Sequence, residues 1–173
     1  MTENNSSKRP SFLTLLCVLT FIYSGFSLVS ALNSITNGPP SAKEIRIQDA
    51  ELSKSIKDLK KIEGSETAIN LIKKFDEFNK LVSKNFWFFS ISSLIISLLG
   101  IFAAQRMFTG FKIGFHLYIA YCLIGLLVFY VVIPAQSIPT SMVIFSLIIS
   151  ALFIWMYSRN LSWMNKGENG IIE

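Results

Sequence analysis

Four stretches of this chain, residues 11–32, 86–105, 113–133 and 138–158, contain not one Asp, Glu, Lys or Arg. Each is about 20 residues long, which at about 1.5 Å per residue matches the roughly 30 Å hydrocarbon layer of a bilayer. A water-soluble core made from 173 residues cannot enclose four uncharged helices of that length, and a bilayer can. Only 16% of the residues are charged, against roughly 25% in soluble proteins, and the shortage is confined to these four stretches. The fold class expected is therefore all-α: a membrane four-helix bundle with an amphipathic helical hairpin outside it.

The formal charge of +5 is a topology signal and not a nucleic-acid footprint. Between Asn33 and Asn85 there are ten Lys/Arg and eight Asp/Glu, a near-balanced surface rather than a basic patch. The other basic residues, Lys8, Arg9, Arg106, Lys112, Arg159 and Lys166, each lie close to the end of an apolar stretch. Short segments rich in Lys and Arg stay in the cytoplasm. This places 1–10, the 106–112 loop and the 159–173 tail inside, and the 33–85 segment and the uncharged 134–137 turn outside. The expectation is a cell (inner) membrane protein, multi-pass, with both termini cytoplasmic, whose partners are the lipid bilayer and either itself or another membrane protein. Trp87 at the outer edge of the second span, and Trp155, Tyr157 and Trp163 near the inner end of the fourth, fit an interfacial aromatic belt.

The first span opens like a secretory signal, with Lys8-Arg9 before an apolar run and Val29-Ser30-Ala31 as a small-x-small site. Its length favours an uncleaved transmembrane helix; cleavage would leave three spans. Asn33–Pro40 is rich in turn formers and is expected to end that helix. Ser41-Ala42-Lys43-Glu44 then forms a capping box that opens the hairpin. Ile45, Leu52, Ile56, Leu59 and Ile62 fall on one helical face. Gly64 is expected to stop that helix and Ser65 to cap the next. In the second hairpin helix Leu71, Phe75, Phe78 and Val82 recur at heptad spacing and form the candidate partner-contact stripe. No glycine or proline separates that helix from the next span, so one continuous helix is expected from solvent into the bilayer.

Lipid tails are as apolar as Leu, so spans associate through small residues that let backbones approach. The candidate packing positions are Ser24 and Ser27 on span one, Ser93, Ser97 and Gly100 on span two, and Gly114, Tyr118 and Tyr121 on span three. Gly110 and Gly114 make a G-x-x-x-G, and Ser146 and Ser150 mark a face of span four. Tyr23, near the bilayer centre, is expected to point inward to Tyr118, Tyr121 or a facing serine, because an unpaired hydroxyl there is costly.

Chemistry-bearing motifs are scarce. Ionisable groups at membrane depth are the usual functional signal, and here His116, one turn inside span three, reads as a boundary residue. Cys17 and Cys122 form no C-x-x-C pair, and phosphate-loop, G-x-S-x-G and H-E-x-x-H patterns are absent. The expectations are no catalytic residue, no cofactor, no metal and no nucleic-acid partner, in a protein that is not an enzyme.

Lys8-Arg9-Pro10-Ser11-Phe12-Leu13, running into Leu16–Ile22 and ending at Ser24-Gly25, resembles the opening of small four-span membrane proteins of Bacteroidota that have no assigned activity. Gly110–Tyr118 and Met156–Leu161 are similar too. The resemblance covers the four spans and not the hairpin. It implies topology and a bacterial inner membrane, and carries over no catalytic residue. The function expected is an interaction or scaffold role through the hairpin; the alternative is a small oligomeric transporter or channel subunit, with a polar path along Ser90, Ser93, Ser97, Tyr23 and Tyr121. A membrane thiol enzyme would need redox-active Cys17 and Cys122.

Overall fold

The computed structural model describes residues 9–168, with side chains through Met164. Lys8, counted above among the basic flanks, lies outside the described residues, as do the tail residues beyond 168. The described chain is helical throughout. It comprises α1 Ser11–Asn37, α2 Ala42–Leu59, α3 Glu66–Lys84, α4 Phe86–Phe108, α5 Ile113–Val132, a 3-10 turn Ala135–Ser137, α6 Thr140–Ser158 and α7 Leu161–Glu168. Four of these, α1, α4, α5 and α6, are long and apolar enough to cross a membrane. The chain is a multi-pass membrane protein by that criterion, built as a helical bundle.

Local chemistry sets several boundaries. The Ser41 capping box is formed: the Ser41 amide donates to Glu44 Oε2 at 2.6 Å, and the Glu44 amide donates to Ser41 Oγ at 3.3 Å. Two boundaries differ from the sequence expectation. Helix α1 passes the expected span end at residue 32 and runs to Asn37, still ending inside the Asn33–Pro40 segment. Gly38, at φ 76°, terminates it, and its amide returns to Ser34 O at 2.9 Å. Asn, Ser and Thr weaken a helix only slightly, so the Gly-Pro-Pro that follows is what stops it. The hairpin's first helix ends at Leu59, before Gly64. Ser65 does not cap α3 with its side chain; its hydroxyl donates back to Leu59 O at 2.6 Å, tying the turn to the end of α2.

The expected single helix across residues 66–105 is broken. Asn85 sits at φ −108°, ψ 34°, between α3 and α4. Its Nδ2 donates to Leu81 O at 3.0 Å, the carbonyl that its own backbone amide reaches at 3.2 Å, so at the break a polar side chain competes with the backbone for one acceptor. Beyond the break, α3 makes contact with the 3-10 turn Ala135–Ser137 as well as with α4.

Packing is lopsided. The α1–α4 contact is the most extensive in the molecule, followed by α4–α5. Leu13, Leu16, Cys17, Thr20 and Ser24 of α1 are buried, as are Ser97, Gly100, Ala103, Ala104 and Met107 of α4. Gly100 permits this closeness: a Cβ there would stand 2.5 Å from Ser24 Oγ and 2.9 Å from the Tyr121 ring. Gly114 performs the same service between α4 and α5, where a Cβ would meet the Met107 backbone nitrogen at 2.5 Å. Helix α6 packs mainly on α5 and touches α1 little. The end of the bundle that holds both termini is closed by α7, whose Trp163 and Met164 bury against a cluster containing Leu13, Met107 and Tyr157. At that end Arg9 lies 3.6 Å over the Phe108 ring, Arg106 5.0 Å over Phe102 and Arg159 5.4 Å over Trp155. These contacts seat cations against aromatic faces at the rim.

Candidate functional site

The hairpin stripe divides in two. Phe78 is buried with Ile133 and Ile138 beneath it, and its ring centroid lies 5.4 Å from that of Phe129. Val82 packs against the same cluster. Ser137 Oγ adds a hydrogen bond to Glu77 Oε1 at 2.9 Å, fastening α3 to the turn between α5 and α6. Leu71 and Phe75 stay outside this contact, 42% and 38% exposed. The four stripe residues therefore do not act as one surface: the lower two dock the hairpin on the bundle and the upper two remain free of it.

Helix α2 is held to α3 thinly. Lys80 Nζ bridges Asp49 and Asp76, at 3.0 Å each. Hydrogen bonding first to Asp76 and then to Asp49 raises the Lys80 pKa above its ordinary value. No residue of α2 is buried, although Ile45, Leu52, Ile56 and Leu59 share a face. Between α2 and α3 runs an open groove of about 940 Å³, floored by Ile45, Leu52, Ile72, Phe75 and Val82 and edged by Asp49, Glu51, Asp76 and Lys80.

Among the expected packing residues, Ser24, Ser97, Gly100, Gly114 and Tyr118 are buried, while Ser27, Ser93 and Tyr121 are partly so. Tyr23 is 66% exposed yet borders the same space as Tyr118 and Tyr121, so it faces the expected partners from the margin and not from the packed interior. Gly110 is a correction: it lies in the α4–α5 turn at φ 86°, and of the two glycines only Gly114 makes a helix–helix contact. Tyr157, assigned above to the aromatic belt, is fully buried, and its hydroxyl shares a 2.8 Å hydrogen bond with Thr20 Oγ1 across α1 and α6. Sequence reasoning missed that pair, since a tyrosine near a span end also suits the interface.

Thr20–Tyr157 is where α1 and α6 meet. Towards the hairpin end the two helices separate, and the space they leave, walled also by α4 and α5, is a cavity of about 960 Å³. Ser93 and Ser97 line it from α4, Tyr118, Tyr121 and Cys122 from α5, and Ser146 and Ser150 from α6. Tyr23 stands on its margin. Its hairpin end is lined by Val82, Phe89, Phe129 and Ile138, with the Phe89 and Phe129 rings stacked at 5.6 Å. Among the described residues, no Asp, Glu, Lys, Arg or His lines it.

Comparison with family models, with curated proteins and with solved structures finds no match.

The remaining chemistry-bearing residues are separate. His116 is exposed at the start of α5, its Nδ1 3.2 Å from Lys112 O. Cys17 and Cys122 are both free thiols, Cys17 inside the α1–α4 contact region and Cys122 on the cavity wall. No group of three or more His, Cys, Asp or Glu able to hold a metal occurs among the described residues.

Proposed function

We propose that this chain is a non-enzymatic protein of a bacterial inner membrane, with both termini cytoplasmic, that acts by contact through its extracytoplasmic hairpin, and that the contact is with a second copy of itself. The observation that carries this reading is α2: an amphipathic helix with no buried residue, alongside exposed Leu71 and Phe75. An apolar helical face needs another element to cover it. Two such hairpins, placed face to face, supply each other's missing layer and complete a four-helix arrangement with an isologous interface. The near balance of ten basic and eight acidic residues across 33–85 means that two copies do not repel and that neither a strongly acidic nor a strongly basic partner is selected. The basic rim residues Arg9, Arg106 and Arg159 at the opposite end of the bundle support the sidedness.

Counting subunits by single-molecule photobleaching in sparsely loaded vesicles tests it. Dimers are expected. Leu71→Glu or Phe75→Glu, each made alone, should weaken association by at least about thirtyfold, since one buried anchor contributes about 2 kcal/mol. Monomers at every loading, or dimers indifferent to both substitutions, would overturn self-association.

A second reading, a small oligomeric transporter or channel subunit, draws on the cavity, because Ser93, Ser97, Tyr23 and Tyr121 all lie along it. Aqueous thiol labelling of Ser97→Cys decides it: modification by a charged reagent supports a wet path, and protection counts against one.

A further inference from the structure

We propose that the cavity between α1, α4, α5 and α6 is a binding site for a neutral long-chain lipid, admitted sideways from the bilayer through the cleft between α1 and α6. It shares Val82 with the hairpin groove and no other lining residue, and its test does not depend on self-association.

The walls choose the occupant. Among the described residues no charged side chain lines the space, so neither an ion nor an anionic headgroup finds a counter-charge at that depth, where an uncompensated charge is expensive. A volume of about 960 Å³ equals roughly thirty waters at about 30 Å³ each. Phe89, Phe129 and Ile138 line it at the hairpin end, and Tyr118 and Thr20, the latter bonded to Tyr157, line it at the other. The side is open. Tyr23 and Phe26 on α1 and Phe145 on α6 line the cavity yet are each about two-thirds or more exposed, which puts them at a mouth facing hydrocarbon. A void this size left empty would forfeit the contacts that its lining could make, and the solvent at its mouth is acyl chain.

Hydroxyls set the polar end of the guest. Ser97 lies eleven residues into α4, about 17 Å along its axis and near mid-bilayer. It already donates to Leu94 O at 2.9 Å, as serines in apolar helices do, leaving an oxygen able to accept. With Ser93, Tyr121, Ser146 and Ser150 it forms a band able to bond one hydroxyl or ester carbonyl, and nothing of higher charge.

The test uses full-length protein in phosphatidylethanolamine–phosphatidylglycerol vesicles containing a trace of a long-chain alcohol with a mid-chain diazirine. After illumination, adducts are mapped by residue. Adducts at Ile96 and Ser146 should exceed those at outward-facing Ile95 and Leu98 by about tenfold, equivalent to about 1.4 kcal/mol of preference. A Cβ on Gly125 would meet nothing nearer than Ile96 Cγ2 at 4.0 Å, so Gly125→Phe projects into free space and should abolish that excess. Ser146→Phe, from the facing wall, should do the same if the first variant does not fold. Uniform labelling, signifying the lipid annulus only, would overturn the site. So would an excess that survives both plugs, or rapid modification of native Cys122 by a membrane-impermeant charged thiol reagent.

Discussion

Gly114 is where one added methyl group does the most damage. Its Cβ would press on backbone, on Met107 N at 2.5 Å and Ala103 O at 2.8 Å, and backbone has no alternative rotamer. Gly114→Ala should cost about 1–3 kcal/mol, the usual range for overpacking, read as a lowered thermal midpoint in mild detergent. Gly25→Ala, with nothing within 4 Å of the added atom, should be neutral or slightly stabilising, since Ala is the better helix former. Small residues were legible in the sequence because a glycine or serine in a helix of Leu and Phe stands out. The exposure of Tyr23 was not. In a soluble helix the polar face reveals which way the apolar face points; in a bilayer both faces are apolar, and one tyrosine can sit on either. The bond between Thr20 and Tyr157 was hidden for the same reason.

At the scale of elements, short-range chemistry was readable and long-range competition was not. The Ser41–Glu44 box depends on residues three apart, and it formed. Glu44 has its carboxyl held below the ordinary carboxylate range, first by the Ser41 backbone amide and then by the Ser41 side chain. A carboxylate whose folded pKa is depressed stabilises at pH above its unfolded value and loses that contribution as pH falls through the folded value. Protection of the first-turn amides of α2 should therefore fall on acidification below about pH 4, and Glu44→Ala should remove the pH dependence. The joint at Asn85 escaped notice because asparagine is a weaker breaker than glycine or proline, and its side chain makes a bond to Leu81 O that only the folded chain reveals. That joint brings Phe78 onto Ile133 and Ile138. Phe78→Ala should cost about 3 kcal/mol, at the low end for a buried aromatic, and speed proteolysis within α2 and α3. Phe75→Ala, at an exposed position, should leave monomer stability within about 0.5 kcal/mol.

Across the whole molecule, order is graded from end to end. The half near the termini holds the α1–α4 contact, the α7 cap and the Thr20–Tyr157 bond, while the other half opens into the cavity. Among the spans, amide exchange in detergent should follow this gradient, slowest around Ala103–Met107 and faster in the hairpin-side half of α6, where no residue is buried; uniform protection along α6 would contradict it. The count of spans was readable because charge-free length is a one-dimensional property. The cavity was not, because a void depends on how far two helices diverge, which no stretch of either helix records.

The closest pair of helices, α1 and α4, is also one of the most widely separated along the chain, with all of 38–85 between them. Closing a loop of that length costs about 3 kcal/mol in chain entropy, and it delays assembly. As synthesis proceeds, α1 reaches the membrane before α4, and Thr20, Ser24 and Ser27 lack that partner until α4 emerges. The contact on which the finished protein most depends is thus a late event in its biogenesis, and a ribosome stalled before residue 100 would leave a solitary, hydroxyl-bearing span for the membrane's quality-control proteases to find.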